Sequence, residues 1–320
     1  MAMRSPLSEI LATISVIGVG GGGCNTVRRM MQEKSIPGVQ YVMCDIDTQS
    51  LDKMPHGAKM VHIGRLTHGF GAGGDPEVGA EAVQSGRLSL QRAVANSDLV
   101  FIIIGLGGGT GTGAAPVVAE MMKRRGLVTV GIATLPFSWE GARRMETALA
   151  GIPKLKEKVD NLIVVQNDHV LKIVPRDASM VEAFKIVDTV VMQGIYSVAE
   201  VVNVPSEINV DLADVKFIMR LPGRALMAVG EGTGQNSAVQ ACQMAMGNPL
   251  VDLSIEGAKG ILFSIKGGTG LTLGDVNAVG ETISHKAHPQ ATIFFGMTTD
   301  QELQGTTKIT IIATGIPEVL

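Results

Sequence analysis

The sequence predicts an α/β protein: a doubly wound parallel-sheet domain, joined by a long central helix to a smaller mixed α/β domain with a four-stranded sheet. Three observations carry this reading. In the first half, near-continuous apolar runs alternate with helical stretches, the pattern of parallel strands covered on both faces. From about Ser179 to Val202, apolar residues recur at helical spacing without a break. Beyond Pro205 the texture changes to shorter strands and helices. The boundaries that follow are 1–178, 179–203 and 204–320.

Each element has its own signal. Ile14-Ser-Val-Ile-Gly18 reads as a strand and Thr26–Glu33 as the helix after it. Val39–Cys44 is a second strand, ending at Asp45 and Asp47. Gly69-Phe-Gly-Ala-Gly-Gly-Asp-Pro76 is a glycine-rich loop that leads into a helix from Pro76 to about Ala95. Leu99–Ile104 is an apolar strand, Ala114–Met122 a helix, and Leu127–Ala133 and Asn161–Gln166 further strands. In the long helix Met180, Phe184, Val187, Val191, Val198 and Val202 fall on one stripe, which suits a spine between two domains. The second domain pairs helices at Ala213–Arg220 and Ser237–Met246 with strands near Ala225–Gly230, Gly260–Ile265, Thr292–Phe295 and Lys308–Thr314.

Composition removes several function classes. The 320 residues are 45% hydrophobic and 18% charged, so a substantial core is available. A formal net charge of −3 and a pI near 6.1 give no support to a nucleic-acid surface. One Trp and two Tyr make no stacking platform for single strands. Lys123-Arg124-Arg125, the densest basic run, falls at a predicted helix end, where cations complement the dipole. Cys24, Cys44 and Cys242 form no C-x-x-C pair, which reads as a reduced, cytoplasmic protein without a zinc site. His285 and His288 are the closest histidines and have no acidic or sulfur companion at ligand spacing. The 17 methionines read as adaptable core filler. No apolar stretch approaches the ~20 residues that span a bilayer, and Glu9 and the glycines after it break any signal-peptide run.

The chemistry is concentrated in glycine. Gly105-Leu-Gly-Gly-Gly-Thr-Gly-Thr-Gly113 places six glycines and two threonines between a buried strand and a helix. Such a turn aims unpaired N–H groups at one point, backed by the positive end of a helix dipole, and so fits a phosphate-bearing ligand. Gly18-Val-Gly-Gly-Gly-Gly23 satisfies G-x-G-x-x-G, and Asp45 follows about twenty residues later. Alone, that is the fingerprint of a dinucleotide-binding metabolic enzyme, with Gly18, Gly20, Gly23 and Asp45 holding NAD. The additional loops at 69–74 and 105–113 favour a ligand gripped at several phosphate oxygens. No G-x-x-x-x-G-K-[ST] is present, so the grip comes from backbone amides and threonine hydroxyls, not a lysine.

Gly107-Gly-Gly-Thr-Gly-Thr-Gly113 resembles the signature loop of the tubulin/FtsZ superfamily. Five further stretches resemble FtsZ in order and spacing: Val16–Asn25, Gly71–Gly79, Pro136-Phe-Ser-Trp-Glu-Gly141, Asn167-Asp168 and Asn209–Asp214. The likeness runs from about Ile14 to Gly315. It implies a GTPase domain over 1–178 and an activation domain over 204–320, with GTP or GDP and Mg²⁺ as ligands. Gly20, Gly21 and Gly22, together with Gly107, Gly108, Gly109, Thr110, Gly111, Thr112 and Gly113, would wrap the phosphates. Ala72, Gly73 and Gly74 would cover the γ-phosphate. Glu140 and Arg144 match positions near the ribose and phosphates, and Asn25, Asn167 and Asp188 match guanine-reading positions, with Phe184 against the base. Mg²⁺ would be held mainly by the nucleotide phosphates and water.

Asn209-x-Asp211-x-x-Asp214 resembles the family's catalytic loop. From the residues alone, Asp211 or Asp214 equally suits the cap of the following helix. The resemblance implies that this loop meets the nucleotide of a neighbouring protomer, so that hydrolysis accompanies head-to-tail filament growth. Implied partners are other copies of the chain and a full-length FtsZ, with neither nucleic acid nor direct membrane contact. The sequence ends at Pro317-Glu-Val-Leu320, without the linker and docking peptide usual in division proteins. Met192 stands where the family usually has arginine, and Trp139 and Asp75 are unusual within matching loops. A main division protein, a specialised paralogue and a slow-hydrolysing structural filament remain the alternatives.

Overall fold

The computed structural model describes residues 12–33, 38–52, 55–64, 71–174, 177–248 and 254–317. The first half is a sheet of β1 (Ile14–Val19), β2 (Val39–Asp45), β3 (Lys59–His62), β4 (Leu99–Gly105), β5 (Val128–Leu135) and β6 (Asn161–Gln166). Its order is β3-β2-β1-β4-β5-β6, and every pairing is parallel. The connecting helices are α1 (Gly20–Glu33), α2 (Thr48–Asp52), α3 (Pro76–Ala93), α4 (Gly109–Arg124) and α5 (Ala142–Lys158). Strands β1 and β4 are buried along almost their whole length, as a sheet covered on both faces requires. One core joins the sheet to α3, α4 and α5 through residues such as Val83, Ala115, Val118 and Leu155. The other joins it to α1 and to α6 (Met180–Asn203) through Val27, Met30, Val191, Ile195 and Tyr196.

The second half contains α7 (Leu212–Met219), β7 (Arg224–Thr233), α8 (Ser237–Met246), β8 (Gly260–Gly267), α9 (Leu273–Ser284), β9 (Thr292–Thr299) and β10 (Thr306–Ile316). Its sheet runs β7-β10-β8-β9, with β10 antiparallel to β7 and β8, and β8 parallel to β9. Helix α6 lies between the two sheets. Tyr196 Oη donates to Met30 O at 2.6 Å on α1, and Ser197 Oγ donates to Thr310 Oγ1 at 2.8 Å on β10. A Cβ at Gly194 would overlap the Met227 side chain of β7, so this glycine lets the helix seat directly on the second sheet.

The fold class and the four-stranded second sheet are as the sequence predicts. Two helix starts differ. The reading begins α1 at Thr26 and the helix after the 105–113 loop at Ala114, whereas α1 starts at Gly20 and α4 at Gly109. Glycine is a poor helix former, yet these turns are helical because packing demands them. A Cβ at Gly23 would stand 2.1 Å from Ile103 O of β4, and one at Gly113 would stand 1.8 Å from Pro76 O of α3. Part of the glycine excess therefore serves backbone-to-backbone packing. The sequence reading also has no counterpart of α2, β3, α5 or α9. Helix α5 carries Gly151 and Pro153 in its interior, and β3 is four residues at the sheet edge. Gly69 and Phe70 of the third glycine loop lie outside the described residues.

Gly23→Ala is expected to cost about 1–3 kcal/mol of stability through overpacking, read as a lowered thermal midpoint. Gly21→Ala, whose Cβ meets nothing within 4 Å, should be neutral or stabilising by up to about 1 kcal/mol.

Candidate functional site

The order β3-β2-β1-β4-β5-β6 reverses direction between β1 and β4. Helices α1 and α4, which follow those two strands, cover opposite faces. Their N-termini open into one crevice at the carboxyl ends of the strands, the place where α/β sheets bind ligands. Gly20, at φ +70°, makes the turn out of β1, and Gly107, at φ +96°, the turn out of β4. A Cβ at Gly20 would lie 2.8 Å from Gly111 N, so the two turns touch. Thr112 Oγ1 accepts the Gly107 N–H at 2.9 Å and holds the second turn shut.

Both N-termini lack an anion of their own. Gly108 caps α4 with no side-chain hydrogen bond, and neither α1 nor α4 has an acidic residue in its first turn. The first N–H groups of a helix have no partner within it, so those of Gly20–Gly22 and Gly109–Gly111 face the crevice unopposed by carboxylate. Helix α3 is the contrast: Asp75 caps it, accepting the Glu77 N–H at 2.8 Å. Cβ atoms at Gly21 and Gly108 would meet nothing within 4 Å, and the same is true of Gly73 and Gly74, at φ +59° and +84°. Buried Ala72 leans on Gly109, placing that loop beside the α4 N-terminus. Two anion-seeking helix ends in contact make a strong phosphate cradle.

Beside the cradle is a cleft of about 270 Å³ lined by Gly22, Asn25, Glu140, Arg144, Asn167, Phe184 and Asp188 from the predicted set. Asp188 is almost fully buried, and its Oδ1 accepts the Thr26 hydroxyl at 2.6 Å while Arg29 forms an ion pair with Oδ2. Burial pushes its pKa above the ordinary carboxylate value, against the opposing pull of Arg29 and Thr26. Asn167 is buried where β6 ends, and its Oδ1 has no hydrogen-bond partner among the described residues. Its neighbour Asp168 accepts the Ser138 N–H at 3.0 Å, tying the Pro136–Gly141 segment to the cleft. Glu140 accepts the Phe137 N–H at 2.8 Å and pairs with Arg144 at 3.1 Å. Arg144 in turn lies over Gly107. Phe184, on the cleft wall, meets Phe137 edge-on at 5.6 Å, and Phe137 stacks on exposed Trp139 at 5.4 Å. Thr26, Arg29 and Thr134 also line the cleft. Their signal in the sequence is weak: Thr26 and Arg29 sit one turn and two turns beyond Gly22 on α1, on the face the glycines open.

Residues 13–175 match the GTPase domain of the tubulin/FtsZ family, and residues 223–317 match the FtsZ C-terminal domain. The chain belongs to the tubulin/FtsZ family. An empty FtsZ dimer from M. jannaschii is 39% identical with a TM-score of 0.89, over 98% of this chain and 93% of that one. A point mutant of FtsZ from M. jannaschii is 40% identical with a TM-score of 0.88, over 96% and 92%. CetZ1 from Haloferax volcanii, a GDP-bound monomer, shares the fold at 21% identity and a TM-score of 0.82, over 96% and 95%.

Within this tubulin/FtsZ chain, Asp45 does not face the crevice as a ribose anchor. It is buried and accepts the N–H groups of Ile46 at 2.7 Å and Asp47 at 3.4 Å, closing its own turn. Nor does the chain bring Asn209, Asp211 and Asp214 to the cleft. Lys216 of α7 pairs with Asp98 at 3.3 Å, immediately before β4, and Asn161 at the start of β6 holds the end of α7. Helix α7 therefore lies at the amino ends of the strands, and the cleft lies at their carboxyl ends. Asp211 caps α7, accepting the Ala213 N–H at 2.8 Å. Asn209 is spent on its own loop: it donates to Val201 O at 2.9 Å and Val204 O at 2.8 Å, and accepts the Ser206 N–H at 3.0 Å. Asp214 alone of the three has no side-chain hydrogen bond or ion pair among the described residues.

Asn209→Ala is expected to lower stability by about 1–2 kcal/mol through lost loop hydrogen bonds, measured by denaturant unfolding. Asp214→Ala should leave the midpoint within about 0.5 kcal/mol.

Proposed function

We propose that this chain binds GTP in the cleft and hydrolyses it when protomers stack head to tail, each supplying Asp214 to the nucleotide of its neighbour. The observation that supports this is the separation of the two halves. The cradle sits at one end of the parallel sheet and α7 at the other, a strand length or about 20–25 Å apart for the seven residues of β4. One chain cannot bring both to the same phosphate, whereas a stacked pair can. A contact between unlike ends does not close on itself and yields filaments. Two similar structures agree in kind: the FtsZ dimer, and a GTPγS-bound protofilament of CetZ2 from Haloferax volcanii.

Each residue then has a task. The amides of Gly20–Gly22 and Gly107–Gly113 take the phosphate oxygens, with Arg144 beside the turn at Gly107. Ala72, Gly73 and Gly74 close over the γ-phosphate. Asn25, Asn167 and Asp188 read the base, with Phe184 against its face. Ionised Asp188 accepts from guanine N1–H and the 2-amino group together, while adenine would leave the buried carboxylate unmatched. Mg²⁺, which takes oxygen ligands, suits a hydroxyl such as that of Thr110, half-buried in the first turn of α4. The ion would be carried by phosphates and water, with the Thr110 hydroxyl at hand, and would offset phosphate charge. Asp214 orients water for in-line attack, and Asp211 and Asn209 hold the loop that presents it. The level of identity to FtsZ over nearly the whole chain favours a division-type filament over a CetZ-like role.

Phosphate release with GTP and Mg²⁺, measured across protein concentrations beside sedimentation of the same samples, tests the reading. Turnover per protomer should rise above a threshold at which pellets appear. Turnover that is flat with concentration, or pellets without any phosphate release, overturns the shared site. Asp214→Ala should lower turnover about 100-fold or more while GTP binding stays within twofold.

A second expectation concerns pH. Because burial raises the Asp188 pKa, the carboxylate takes up its proton at a higher pH than an exposed aspartate does. GTP affinity should therefore begin to fall above the ordinary aspartate range as pH is lowered. In Asp188→Asn that step should be absent and the preference for GTP over ATP reduced, both read by nucleotide titration.

A further inference from the structure

We propose that Asn161 is a positioning residue for the chemistry at the protomer junction, acting through α7; this rests on the shared-site reading above. Asn161 opens β6 and is fully buried. Its Nδ2 donates to Met219 O at 2.6 Å and Leu221 O at 3.3 Å. Met219 ends α7, and the last carbonyls of a helix have no partner within it. From the other sheet, buried Thr314 on β10 donates its hydroxyl to Ile218 O at 2.8 Å. The C-terminus of α7 is thus held by one donor from each sheet. A third tie comes from Asp98, which accepts the Thr13 N–H at 3.0 Å and pairs with Lys216 at 3.3 Å.

All three ties fall in the second half of the helix. The loop that enters its first half is held separately, by Asn209 on Val201 O and Val204 O and by the Val210 N–H on Val201 O at 3.3 Å, so the ties at the last turn set the tilt of the helix about that anchored loop. Eight residues of α-helix make a rod about 12 Å long. Asp214 stands five residues before Met219, about 7.5 Å along the rod, so a tilt of about 8° at the held end moves it by about 1 Å, and a misplacement of that size costs on the order of 100-fold in rate. Asn161 thereby fixes, from the nucleotide-binding sheet, the direction in which the chain offers Asp214 to the next protomer. The bland alternative is a buried asparagine that only stabilises the fold.

The test uses the full chain carrying Asn161→Ala and, separately, the near-isosteric Thr314→Val, in case the first variant folds poorly. Expected is a 10- to 100-fold loss of turnover within pelleted filaments, with GTP affinity below the assembly threshold and the pelleted fraction both within twofold of the parent. A purely structural role would lower the thermal midpoint and leave turnover, measured well below that midpoint, unchanged; that result overturns the proposal. Mixing separates the cases further. The Asn161→Ala chain is mixed with an Asp188→Ala chain, whose cleft is impaired but whose α7 is intact. Phosphate release should recover, because the intact cleft of one then meets the intact helix of the other. Asp214→Ala mixed with the same partner is the control. Recovery in the control but not with Asn161→Ala overturns the positioning role alone. Recovery in neither overturns the shared site and the positioning role together.

Discussion

The structure depends on two helix N-termini sharing one crevice with no carboxylate between them. Their unpaired N–H groups and dipoles form a field that only an anion satisfies. Bringing α1 and α4 that close forces glycine on the turn, because a Cβ at Gly20 would strike Gly111; the α3 cap presses in as well, since a Cβ at Gly109 would strike Asp75. The constraint spreads outward. Helix α3 can lie against α4 because Gly79 and Gly113 present no side chain there. Strands β1 and β4 can carry α1 flush against their ends because Gly18 and Gly23 do the same. The glycines are distributed between facing a ligand and permitting the packing that leaves room for it.

That double duty explains what the sequence reveals and what it hides. Strands β1, β4 and β5 are legible because continuous burial leaves continuous apolar runs, and α6 because one helix packed on both sides keeps its apolar period. The starts of α1 and α4 are hidden because glycine argues against helix locally, and only contacts with Ile103 and Pro76 reverse the preference. The cleft residues Asn25, Asn167 and Asp188 are legible through resemblance, since each stands alone in the sequence. Thr26 and Arg29 are not: nothing in a threonine or an arginine on α1 announces a partner on α6 more than 150 residues away. Asp45 shows the opposite failure, a matching spacing whose side chain is turned into its own loop.

The second constraint is that α6 and α7 must connect two sheets without blurring the distinction between the ends of the molecule. Helix α6 does so by burial, with Tyr196 bonded to α1 and Ser197 to β10. Met192 belongs to this contact: it is buried in the core between the sheets, a place an arginine would occupy only with partners for its charge. Helix α7 buries Val215, Ile218 and Met219 in the same core and adds polar ties at its last turn. A buried apolar contact tolerates small slides, while hydrogen bonds to terminal carbonyls set direction. Both helices therefore combine packing, which gives cohesion, with hydrogen bonds, which set direction.

Asp188 joins the two themes. A carboxylate buried this deeply is costly unless paired, and Thr26 and Arg29 pair it from α1. Each takes a lone pair on a different oxygen, and each oxygen keeps capacity for a further donor. The same pairing fixes α6 against α1, whose N-terminus opens into the crevice. On the proposed reading, a base that supplies two adjacent donors would complete the carboxylate without breaking either bond, adding to an existing contact instead of replacing it. A base without those donors finds the carboxylate already committed to α1 and offers it nothing. Any such selectivity would follow from burial, because only a desolvated carboxylate makes the missing donors expensive.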